Sequence, residues 1–193
     1  MPTNFLFRKI AVLSAFYATA ASSLGADFYD GVKSGTLEGK LTVQWIEADV
    51  FLFIPDTVSP LTFTRASGQK IRPGRMLTDG GSVPRPLWIL RSYSPWGYAP
   101  AFIFHDWLFE MKHCKYSGFD TLNHREAANV MAEVMKTMME TNRVSIDRLT
   151  VWSMHAAVDS SIAENRWNSG ACNPPPPGMF GAKPLLEYKL NFD

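Results

Sequence analysis

The chain has no dense cluster of lysine and arginine, and that scarcity removes one class of partner at once. Its 193 residues hold 19 Lys+Arg against 18 Asp+Glu. Binding a phosphate backbone needs basic side chains concentrated on one face, so nucleic acid is excluded as the main partner. Common catalytic signatures are missing too: there is no H-E-x-x-H, no G-x-S-x-G, no C-x-x-C and no phosphate-binding glycine loop. Cysteine is nearly absent, with two in the whole chain, so no cysteine-rich framework or four-cysteine metal site can form. No apolar run is long enough to serve as a stable transmembrane anchor.

What is present begins with an export signal. Arg8 and Lys9 form a short basic region, Ile10 to Ala21 is apolar or small, and Ala18-Thr19-Ala20 offers the small residues of a cleavage site. The alternative, an amphipathic first helix of the domain, lacks a polar face. Removing residues 1–20 takes away two basic and no acidic groups, so 17 Lys+Arg face 18 Asp+Glu, a balance of −1. In an oxidising compartment the pair Cys114 and Cys172 is expected to form a disulfide. Such a bridge adds about 4 kcal/mol in the chain-entropy description. Two unrelated free thiols are the other reading.

The domain organisation follows from punctuation. Residues 21–40 are Gly-rich and polar, a flexible leader. Leu41 to Ile46 and Val50 to Ile54 are β-branched and aromatic, hence strands, and Leu61 to Thr64 with Lys70 to Arg72 reads as a hairpin around A-S-G-Q. Arg75 to Leu77 is a further short strand. Ala99 to Met111 is a buried helix with Pro100 in its first turn. In Leu122 to Thr141, Ala127, Ala128, Met131, Val134, Met135 and Met138 recur at helical spacing, a core stripe rather than a Met-rich groove. Ser145 is the expected N-cap of a third helix running to about Ile162. Residues 166–193 read as a Pro-rich tail lying extended on the surface. The expected architecture is a single α+β domain over residues 41–165, a small antiparallel β layer packed on about three helices.

The polar residues that could carry chemistry fall in three places. In T-D-G-G-S-V-P, Asp79 and Ser82 flank two glycines, and Pro84 stiffens the exit. His105-Asp106 lies inside the apolar helix. Arg125 and Asn129, four apart, share a face of the next helix, and His155 and Asp159 repeat that spacing on the third. One reading makes these a bracing cluster in which Arg125 bonds Asp79 or Asp106, because buried Asp and Arg occur mainly as pairs. The other makes Asp79 and His105 a general base or ligands of a divalent metal, with Asp106, Ser82 or Arg125 orienting them. His113 beside Cys114 cannot act as its base from the next position on a helix, so a thiol nucleophile is set aside. His124 is expected at the surface.

Three stretches taken in order, I-R-P-G-R-M-L-T-D-G-G-S-V-P-R, P-W-G-Y-A-P-A-F-I-F-H-D-W-L-F and R-E-A-A-N, resemble the uncharacterised bacterial and phage family catalogued as domain of unknown function 1353. The resemblance covers about residues 60 to 160 and marks Thr78, Asp79, Ser82, Pro84, His105, Asp106 and Arg125. Asn129 stands where that family usually has Asp, and Phe109 where it usually has Tyr. The resemblance implies a fold and a residue set without an activity. Two functions remain open: a hydrolase acting on cell-envelope material, metal-assisted or by Asp/His acid–base chemistry, and a non-catalytic envelope or phage-derived binding or assembly protein.

Overall fold

A computed structural model describes residues 23–47, 50–78, 97–179, 181 and 183–193. They form an α+β fold with two antiparallel sheets and five helices. The strands are β1 (Thr36–Glu38), β2 (Lys40–Glu47), β3 (Val50–Phe53), β4 (Thr62–Thr64), β5 (Lys70–Ile71), β6 (Met76–Thr78) and β7 (Leu186–Asn191). The helices are α1 (residues 23–31), α2 (Ala99–Cys114), α3 (His124–Glu140), α4 (Arg148–Val158) and α5 (Ser161–Ser169). Among the described residues no helix is long and apolar enough to cross a membrane.

The expected single β layer is two sheets, ordered β1-β4-β5 and β6-β3-β2-β7. In β2 alternate residues Leu41 and Val43 are buried, while in β3 Phe51, Leu52 and Phe53 are all buried. Both strands lie inside the sheet, so the difference is one of faces: β3 is covered on both and β2 on one. The β4–β5 hairpin closes through Arg65 N–H to the Gln69 carbonyl at 2.9 Å, with Gly68 at φ +86°. Between β1 and β2 the chain turns at Gly39, φ +88°, where a Cβ would come within 2.3 Å of the Pro60 carbonyl oxygen. Only glycine meets both demands.

α2 is buried almost all round, from Ala99 through His105 and again at Leu108, so it behaves as a core element rather than an amphipathic cover. Pro100 sits in its first turn, where its missing N–H is harmless. α3 is capped by the Asn123 side chain, which accepts from Glu126 N–H at 2.9 Å, and buries its whole Ala/Met/Val stripe. Burying each Met or Val of that stripe contributes about 1.5–3 kcal/mol before entropy is subtracted. The four methionines of α3 are therefore core, as their spacing implied.

Three expectations need correction. The leader carries structure: α1 lies in it, and buried Lys136 of α3 donates to the Tyr29 and Val32 carbonyls at 2.8 and 3.0 Å. A cation at a helix C-terminus satisfies carbonyls that the helix leaves open. The single third helix is two helices, because Asp147 rather than Ser145 caps α4 and Ser160 starts α5. The tail is not only extended surface chain, since β7 returns to pair with β2 from Lys40↔Asn191 to Trp45↔Leu186. The cysteine pairing expected from the sequence is present: Cys114 at the end of α2 is bridged to Cys172 beyond α5.

Candidate functional site

α2 and the end of β6 meet at a cavity of about 540 Å³, and Thr78, His105 and Asp106 lie on its wall. Thr78 Oγ1 donates to Asp106 Oδ2 at 2.5 Å, and His105 Nδ1 lies 3.3 Å from Asp106 Oδ1. Both carboxylate oxygens thus act as acceptors, which assigns the proton of neutral His105 to Nδ1. The lone pair is left on Nε2. That atom is buried without a hydrogen-bond partner among the described residues, and the whole residue is 1% exposed. Leaving a buried polar atom unpaired costs about 1–3 kcal/mol. Adjacent positions on a helix cannot grip one atom symmetrically, and here they do not try: Asp106 holds His105 Nδ1, and Nε2 has no partner among the described residues.

Residues next to the two bridged cysteines also line the cavity. Glu110 and His113 of α2, with Arg166, Gly170, Ala171 and Asn173, line the same cavity. His113 Nε2 donates to the Arg166 carbonyl at 3.0 Å. A Cβ on Gly170 would come within 2.0 Å of His113 Cε1, so a larger residue there would have to displace the His113 ring. Glu110 lies 3.2 Å from Cys114 Sγ. Glu110, Cys114 and Cys172 have metal-like spacing, but the bridge consumes both thiolates, so the trio is not a metal site.

Burial pushes the Glu110 carboxyl above its ordinary range, with His113 opposing in part. A carboxyl whose folded pKa is raised binds more protons folded than unfolded, so its contribution to stability falls as pH rises past the ordinary glutamate value. Glu110→Gln is therefore expected to stabilise the protein at pH 7–8 and to leave it unchanged near pH 4. Thermal melts of both proteins across that range check this; a gain confined to acid pH would reverse the sign.

The remaining candidates are distributed differently from the expectation. Asp79, Ser82 and Pro84 lie outside the described residues. Arg125 does not reach Asp106: its Nε bonds Asp159 Oδ1 at 3.2 Å, and its side chain is 69% exposed. Asn129 Oδ1 meets His155 Nε2 at 3.0 Å. The two i,i+4 pairs thus interlock α3 with α4, 125 to 159 and 129 to 155, away from the cavity wall. His124, expected at the surface, has a side chain only 16% exposed and lies 3.5 Å from Asp159. Burial holds the His155 imidazole below its usual value.

Sequence reasoning missed Glu110 and His113, although Asp106, Glu110 and His113 stand at i, i+4 and i+7 of one helix, a spacing that shares a face. It also missed Arg65, which follows β4 and binds Glu133 through Nε and Nη2 at 2.7 and 2.6 Å, with Glu126 on Nη1.

A family model described as a protein of unknown function, DUF1353, matches residues 57–158, more than half of the chain. No curated protein and no solved structure matches it. The chain belongs to the DUF1353 family.

Proposed function

We propose that this member of the family is a hydrolase acting in the cell envelope, with His105 as its general base. The observation that carries the reading is the His105 imidazole itself: Nδ1 lies beside Asp106, Nε2 is buried with no hydrogen-bond partner among the described residues, and the residue lines the cavity. A base so held keeps a fixed tautomer and gains stabilisation from the carboxylate as it becomes imidazolium. Thr78 fixes that carboxylate from β6. His105 takes a proton from water as the water oxygen bonds to the substrate, and as the scissile bond breaks the imidazolium returns that proton to the leaving group. Asp79, next in the chain after Thr78, supplies a second carboxylate for acid–base work. In a metal-assisted form of the reaction, Asp79 and His105 would be the residues to hold a divalent cation, which would polarise the attacked bond. The disulfide and the apolar residues 10–21 support export, and envelope polymer is the substrate class.

The test uses purified sacculi as substrate, with release of soluble fragments as the readout. His105→Gln and Asp106→Asn are expected to lower release by about 10²–10⁴-fold with melting temperature nearly unchanged. The Thr78–Asp106 bond, which ties β6 to α2, favours a second reading in which the same residues only brace the fold. That reading wins if the wild type releases nothing and both variants lose several kcal/mol.

A further inference from the structure

The four-stranded sheet ends at β7, whose only strand neighbour among the described residues is β2. Phe192 N–H bonds the Gly39 carbonyl at 2.9 Å, which fixes the parity of the ladder. Leu186, Tyr188 and Leu190 direct their backbone groups toward β2, while Glu187 and Lys189 direct theirs outward. Such an edge is a template for another strand.

The sequence of that edge, L-E-Y-K-L, reads symmetrically by chemical type about Tyr188. We propose that β7 pairs antiparallel with β7 of a second copy across a two-fold axis at Tyr188, giving a dimer with one continuous eight-stranded sheet. In that register Glu187 stands opposite Lys189 of the second copy, twice, and these are the residues with outward donors and acceptors. Leu186 stands opposite Leu190 of the second copy on the other face. A lone chain leaves Leu186 54% exposed, with Leu185 at 67% and Trp45 at 37% beside it. Self-complementarity of one patch is what a two-fold interface requires, and opposite charges directly across a strand pair favour this register over a slipped one.

Within one chain Glu187 already bonds Gln44 at 2.7 Å and Lys189 at 2.6 Å, so the charges are held at the edge in position. The contact is one strand wide, which places it among concentration-dependent dimers rather than obligate ones.

Sedimentation velocity of the full chain from micromolar to millimolar concentration tests this. The wild type is expected to shift from monomer to dimer over that range. Glu187→Lys and Lys189→Glu each place like charges opposite one another and are expected to weaken association about tenfold or more. Mixed one to one, those two variants restore opposite charges at every position and dimerise again. A wild type that stays monomeric throughout overturns the proposal. So does either variant dimerising as well as the wild type, or a mixture that stays monomeric.

Discussion

Arg65→Met is expected to lower the unfolding free energy by about 3–5 kcal/mol, the range for removing one partner of a buried ionic group. Arg65 and Glu133 have side chains only 12% and 13% exposed, and the guanidinium grips Glu133 with two donors while also meeting Glu126 and Gln69. Their hydrogen bonds, those of Glu133 foremost, raise the proton affinity of the guanidinium against the opposing effect of burial. Without the arginine, Glu133, 13% exposed, and Glu126, 31% exposed, are left without their cation at the junction of the β4–β5 hairpin and α3, with water screening Glu126 more than Glu133. In a domain of this size each kcal/mol shifts the midpoint by roughly 2–4 °C, so the melting temperature should fall by about 10 °C. Neutralising the acids as well, in Arg65→Met with Glu126→Gln and Glu133→Gln, should recover much of the loss, because the penalty comes from stranded charge. A single-variant loss below about 1 kcal/mol would place Arg65 with ordinary surface pairs.

The second large effect belongs to the cystine. Cys114→Ala with Cys172→Ala frees a loop of 58 residues, and the chain-entropy description assigns about 4 kcal/mol to its closure. The wild type melted with reductant should fall by a similar amount. A local effect accompanies the global one. The cavity-lining residues His113, Arg166, Gly170 and Asn173 flank the bridge on both strands of chain, so the fragment release proposed above is expected to drop before the fold is lost. Equal melting temperatures with and without reductant would show that the bridge contributes nothing to stability.

The fold was legible wherever periodicity and burial coincide. β2 and the α3 stripe were readable because one-sided burial imposes a period on the sequence, and β3 and α2 because an unbroken apolar run must go inside. The split between α4 and α5 was hidden, since Ser145, Asp147 and Ser160 are all acceptable caps and only tertiary contact chooses among them. β7 was hidden behind four prolines that look like the end of order, although L-E-Y-K-L-N carries a strand's alternation. At the site, His105 and Asp106 could be found as polar residues in an apolar helix, where their burial demands a reason. The partner of Arg125 could not, because an arginine has several carboxylates within reach of its long side chain. Spacing alone does not rank Asp79, Asp106 and Asp159.

The pairing of β2 with β7 also sets a timetable. A backbone hydrogen-bond donor at Gly39 is met by Asp193, 154 positions later, so the larger sheet cannot be completed until almost all of that span has left the ribosome. Loop closure over such a distance is slow compared with forming α2 or α3. The nascent polypeptide therefore passes through an interval with helices forming and its β2 edge still open to other strands.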